Sequence, residues 1–121
     1  MMTLAFNKYQ GAGNDFIIID NRNDVFNPQN DILIKNLCDR RFGIGADGLI
    51  LINKMPEYDF KMVYFNSDGF EGTMCGNGGR CAADFAIRSG IAGKKLRFIA
   101  TDGIHDAISE KEVIRLKMND L

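Results

Sequence analysis

The chain has no basic excess. Fifteen lysines and arginines stand against 16 aspartates and glutamates, for a net charge of -1. A nucleic-acid binder carries a basic stripe or surplus, so that class loses support. No apolar run approaches the ~20 residues that a membrane-spanning helix needs. The opening residues, Met1-Met2-Thr3-Leu4-Ala5-Phe6-Asn7-Lys8, lack the apolar core of a secretion signal, and the cytoplasm is the expected location. Cysteine is scarce: three residues with no CxxC pair argue against a disulfide framework and for a reducing compartment. Histidine occurs once, at His105, far in sequence from every cysteine. Zinc binding and Cys-His nucleophilic chemistry both lose support. His105 itself is expected on the polar side of a strand. No GK[ST] follows a glycine-rich run, so a Walker phosphate loop is missing.

What is present fits one globular unit. The 121 residues are 45% hydrophobic and 26% charged, with no repeat, low-complexity tract or linker. Leu4 to Tyr9 reads as a first strand, Gly11 to Asp15 as a turn, and Phe16 to Asp20 as a buried β-branched strand. A helix is expected from Asn27 as N-cap, through Pro28, to a stop at Gly43. Leu33, Ile34, Leu37 and Cys38 share one of its faces, which assigns Cys38 to the core.

Gly43 to Gly48 matches GxGxxG, but a helix precedes it and a strand follows. That is the reverse of the dinucleotide fingerprint, so the segment reads as a loop needing several positive φ angles. Strands are expected at Leu49–Ile52 and Asp59–Phe65, then a Ser67-Asp68-Gly69 turn and a short return to Met74. The tail reads as a meander: Leu96 to Thr101, an Asp102-Gly103 turn, Ile104 to Ser109, and Val113 to Met118. The class is α/β or α+β with a mixed sheet.

A second helix follows Cys75 and stops at Gly90. Arg80, Asp84 and Arg88 form one narrow stripe in which Asp84 can pair with both arginines. Nearly every other position is apolar or small, so the helix is expected inside a curved sheet, with Cys81 as a buried structural residue. Its start is the most informative stretch: Met74-Cys75-Gly76-Asn77-Gly78-Gly79-Arg80-Cys81. A thiol at a helix start receives unpaired N–H groups and the positive end of the helix dipole, which favour the thiolate. The glycines let a small carboxylate reach the same N–H groups. Two readings of Cys75 stand on residues alone: acid–base chemistry, and a small residue packed where a helix meets a strand. Asn14 and Asn66 likewise read first as turn residues.

Three segments together resemble one family, diaminopimelate epimerase. They are Lys8 to Phe16, Asp39 to Gly48, and Tyr64 to Gly69 running into Met74 to Cys81; the likeness extends over essentially the whole chain. The resemblance implies an isomerase that interconverts LL- and meso-2,6-diaminopimelate without a cofactor, in lysine and cell-wall precursor synthesis. It implies two similar halves, each a mostly antiparallel sheet curled around a central helix, with the active site between them. Cys75 matches a catalytic cysteine, Asn14 and Asn66 match substrate-contacting asparagines, and Gly76 with Asn77 match the backbone cradle of a carboxylate. A further substrate-contacting position, glutamine in some members, falls on Gly48, which has no side chain.

By this resemblance residues 1–121 are the N-terminal half-domain. The C-terminal half, with the second cysteine, is the missing partner, and the chain alone is expected to be inactive. Partners are then a small-molecule substrate and that half, with a homodimer left open and no nucleic acid or membrane. Two-thiol proton transfer fits the residues, since inverting a stereocentre requires a base on one face and an acid on the other. Two alternatives accompany this reading. One is a proline racemase-like enzyme of the same fold, although that group resembles Met-Cys-Gly-His-Gly where this chain has Asn77. The other is a non-catalytic remnant that binds a small molecule or another chain.

Overall fold

The computed structural model describes residues 4–11, 13–73, 76–110 and 113–118. Seven strands form one sheet in sequence order: β1 (Asn7–Gly11), β2 (Asn14–Asp20), β3 (Gly48–Asn53), β4 (Phe60–Asn66), β5 (Lys95–Ala100), β6 (Gly103–Glu110) and β7 (Val113–Met118). Four neighbouring pairs are antiparallel. The two parallel pairs, β2 with β3 and β4 with β5, each need a crossover. Helix α1 (Asp31–Cys38) makes the first and α2 (Gly76–Arg88) the second.

Strand alternation sorts the core into two layers. Phe16 and Ile18 of β2, with Ile50 and Ile52 of β3, face α2, whereas Ile17, Ile19, Leu49 and Leu51 pack toward α1. A strand buried on both faces reads as a continuous apolar run, which is why β2 and β3 lack polar alternation. The α2 layer is the larger. The helix touches both edge strands, β1 and β7, as well as β2, β3, β4 and β6, so the sheet curls around it. Cys81, Ala82, Ala83, Phe85 and Ala86 are all buried on it. Small residues keep the helix narrow enough for strands to close round it. The expected architecture is therefore the observed one.

Several local expectations are corrected. Helix α1 starts three positions later than a cap at Asn27 would place it, because Asn30 caps it: its side-chain oxygen accepts from Leu33 N–H at 3.1 Å. Asn27 instead heads a turn, its Oδ1 accepting from Gln29 N–H at 3.0 Å. The helix ends at Cys38, and its last carbonyls are satisfied by the following loop: Leu37 O accepts from Ile44 and Gly45, and Cys38 O from Ala46. Gly43 crosses this end so closely that a Cβ there would lie 2.0 Å from Asn36 O. Only Gly45 among the loop's glycines has a positive φ, at 83°, so the loop is less strained than expected.

Strand β1 begins at Asn7 rather than Leu4. The return after the Asn66–Gly69 turn carries a single bridge, Phe65 to Glu71, and its expected end at Met74 lies outside the described residues. His105 is buried, 1% exposed, rather than on a polar face. Its register opposite Phe98 puts it in the inward row, where it stacks on that ring at 5.3 Å and Nε2 meets Asp102 Oδ1 at 2.7 Å. Helix α2 stops as expected, with Gly90 at φ 75° and Ile91 N–H donating back to Ala86 O.

Candidate functional site

The parallel and antiparallel registers bring three strand ends together on the α2 side. Phe16 pairs with Gly48, and Gly48 pairs with Asn66, so Asn14, Gly48 and Asn66 lie near one edge of three adjacent strands. Helix α2 begins above that edge. Gly11, the last residue of β1, shows how closely: a Cβ there would sit 3.0 Å from Cys81 Sγ and 3.7 Å from Asn77 Cβ. A Cβ at position 11 would require Cys81 Sγ to give by a few tenths of an ångström.

Asn14 and Asn77, separated by 63 positions, are joined directly: Asn77 Nδ2 donates to Asn14 Oδ1 at 3.0 Å. Asn14 Nδ2 in turn faces Asp47 Oδ2 at 3.4 Å. Asp47 also accepts from Asp15 N–H at 3.0 Å and from Arg40 at 3.1 Å. Arg40 grips Asp15 through two bonds, of 2.9 and 2.6 Å, and Lys8 Nζ lies 3.2 Å from the same carboxylate. The Arg40 guanidinium thus holds the Asp15 carboxyl well below the usual carboxylate range, with Lys8 adding to it. At the other end, Arg80 folds back and donates to Asn77 Oδ1. This differs from the expected double pairing of Asp84, which here bonds Arg88 at 2.8 Å.

Asn66 is placed at the adjoining strand end but not in this chain of bonds. Its amide lies over Gly72, where a Cβ would come within 2.5 Å of Nδ2, and its N–H donates to Phe70 O. Gly48 is explained by a neighbour: a Cβ there would meet the Tyr64 ring at 2.5 Å, the Tyr64 hydroxyl oxygen at 2.7 Å and Phe65 O at 2.7 Å. The phenol of Tyr64, edge-on to Phe16 at 6.1 Å, fills the space that a side chain at 48 would use.

Cys75 lies outside the described residues. Gly76 and Asn77, expected as an anion cradle, are the first two residues of α2. The first turn of α2 carries no acidic side chain. Cys38 and Cys81 are both buried and free of disulfides. Burial pushes the Cys38 thiol up to about 11, which makes it a poor acid–base group. Two open grooves of about 570 and 550 Å³ lie elsewhere, along β5–β7 and beside α1, and neither is lined by Asn14, Asn66 or Asn77.

Reading by sequence alone missed Asp15, Arg40, Asp47 and Tyr64 at this site. Asp15 and Arg40 are 25 positions apart, and no local pattern links them. The one available signal was an aspartate inside a glycine-rich loop immediately before a strand.

The same architecture occurs in solved structures of a hydroxyproline epimerase from Agrobacterium vitis and a probable proline racemase from Agrobacterium radiobacter K84. The first superposes with a TM-score of 0.71 at 11% identity, over 93% of this chain and 40% of that one. The second gives 0.68 at 14% identity, over 96% and 42%. These likenesses define a fold shared with amino-acid racemases and epimerases. The family model for diaminopimelate epimerase matches residues 6–118, and the chain belongs to that family. A diaminopimelate epimerase from Flavobacterium psychrophilum is 59% identical over 115 residues, and one from Chlorobaculum tepidum is 52% identical over 111. The chain spans less than half of either relative, 45% and 43% of their lengths.

Proposed function

We propose that this chain forms the N-terminal wall of a cytoplasmic enzyme that interconverts LL- and meso-diaminopimelate by proton transfer at the α-carbon, without a cofactor. The observation that carries this reading is the Asn14–Asn77 bond, which assembles two amide side chains at the start of α2, directly after Cys75 in sequence. Family membership supplies the substrate class.

In this proposal Cys75 is the base or acid on one face of the substrate. The positive end of the α2 dipole lowers the thiol's pKa, which raises the fraction present as thiolate. The N–H groups of Gly76 and Asn77 hold the α-carboxylate. As the α-proton leaves, negative charge spreads into that carboxylate, and donors already aimed at it stabilise the carbanion. Asn14, Asn77 and Asn66 orient the amino acid by hydrogen bonds, and the Tyr64 phenol closes the floor where Gly48 has no side chain. The proton returns from a second acid on the opposite face, which a C-terminal half supplies. One thiol alone cannot invert a centre, so the chain by itself is expected to be inactive.

The test is to co-express this chain with the C-terminal half of the Flavobacterium psychrophilum relative and incubate the complex with LL-diaminopimelate in D₂O. Meso product with deuterium at the α-carbon is expected. Exchange into proline but not diaminopimelate would move the protein to a proline racemase-like activity. Ligand binding by a folded complex that exchanges neither would make it a non-catalytic binder.

A further inference from the structure

The bonds around Asn14 have a direction that chemistry dictates from both ends. A carboxylate can only accept, so the Asn14 atom facing Asp47 must be its NH₂ group. That turns the Asn14 carbonyl toward Asn77, which must answer with its own NH₂. Arg80 can only donate, so the Asn77 atom facing it must be oxygen. Both amides are thereby fixed in one of their two orientations, between an acceptor-only end and a donor-only end. Asp47 is held in turn by Arg40 and by the Asp15 N–H.

We infer that Asp47 is a positioning residue which, acting through Asn14, sets the orientation of the Asn77 amide at the start of α2. The bonds of Asp47 run to Asn14, Asp15 and Arg40, so it reaches α2 through Asn14. Its carboxylate and the Arg80 guanidinium form the two poles of one relay spanning the α1–β3 loop, the β1–β2 hairpin and the helix start. An amide free to turn over would offer substrate a carbonyl where it now offers N–H groups, or the reverse. The consequence for catalysis rests on the proposed function above; the relay itself does not.

Side-chain amide signals of Asn14 and Asn77, recorded by ¹⁵N NMR on the full chain, test the relay directly. In Asp47→Asn the pole loses its acceptor-only character, and the Asn77 NH₂ signals are expected to shift or double. In Arg80→Gln, at the exposed opposite pole, the Asn14 signals are expected to do the same. Asp84→Asn, elsewhere on α2, is the control and leaves both in place. Unchanged Asn77 signals in folded Asp47→Asn, or unchanged Asn14 signals in Arg80→Gln, overturn the relay. The Arg80 variant decides the matter if Asp47→Asn fails to fold.

In the complex with a second half, both variants are expected to lower kcat/KM for LL-diaminopimelate on the order of 10- to 100-fold, the scale of a small misplacement. Shifted amide signals with unchanged kcat/KM would leave the relay standing and remove these asparagines from substrate contact. Lowered kcat/KM with unmoved signals would overturn the relay and leave the epimerase reading intact.

Discussion

The two helices differ in what their sequences put at the start and in how they are buried. Helix α1 is capped by its own sequence: Asn30 accepts from Leu33, and Asp31 sits in the first turn. Helix α2 opens with Gly-Asn-Gly-Gly and has no acid in its first turn. An acidic first turn stabilises a helix by ~0.3–1 kcal/mol, so leaving it out has a cost. The difference in burial runs the other way. Helix α1 packs one face, with Ile34 and Cys38, on the outside of the sheet, whereas α2 is wrapped by strands on nearly every side. One helix holds its end together locally. The other is anchored along its length.

The largest expected effect attacks the start of α2. In the complex with a second half, Cys75→Ser should lower the epimerisation rate 10²- to 10⁴-fold, the usual worth of an acid–base group. The unfolding midpoint should hardly move. Activity near that of the parent would remove Cys75 from the reaction.

Anchorage is tested next. Phe85 of α2 is 4% exposed and meets Tyr9 of β1 edge-on at 6.1 Å. Phe85→Ala should cost about 3–5 kcal/mol in urea unfolding, as is usual for a buried aromatic. Ile34→Ala on the one-sided α1 should cost about 2–3 kcal/mol, toward the low end for a core aliphatic. Equal losses would mean that enclosure adds nothing to the hold on α2.

Electrostatics sharpens the comparison further, because the Arg40–Asp15 pair ties the end of α1 to the strand that carries Asn14. Asp15 titrates lower in the folded chain than in the unfolded one, where about 3.9 is ordinary. Its contribution is therefore complete above that unfolded value and disappears as pH falls through the folded one. Arg40→Ala should be less stable than the parent by a constant margin from pH 5 to 8, by less than Phe85→Ala is. The margin should shrink below about pH 4. A gap that stays wide at pH 2 would assign the role of Arg40 to packing of its stem.

What the sequence made legible follows the same division. The enclosed helix was readable because Cys81 to Ile87 is apolar or small around most of its circumference except at Asp84. The tail strands were readable from alternation. The start of α1 was misplaced because Asn27 and Asn30 are both competent caps, and only the turn closed by Asn30 N–H to Asn27 O decides between them. His105 was misassigned by residue type, although alternation with the buried Ala107 already put it on the inward face. The Asp15–Arg40–Asp47 group was out of reach, since its partners meet only after the parallel register of β2 and β3 forms. Asn14 and Asn66 could be named from motifs, but not that one would bond Asn77 while the other covers Gly72.

The smallest expected effect separates a cap from a ligand group most cleanly. Asn30 and Asn77 are the same residue type near the starts of two helices. Asn30→Ala should lose about 1 kcal/mol, the typical worth of an N-cap, and leave catalysis alone. Asn77→Ala stays within the helix and replaces a weaker helix former by the best one, which offsets part of the lost bond to Asn14. Its stability should change by less than that of Asn30→Ala, while kcat/KM in the complex should fall at least tenfold. Matching stability losses with unaltered turnover would make Asn77 a second cap, and the contrast between the two helix starts would reduce to sequence composition.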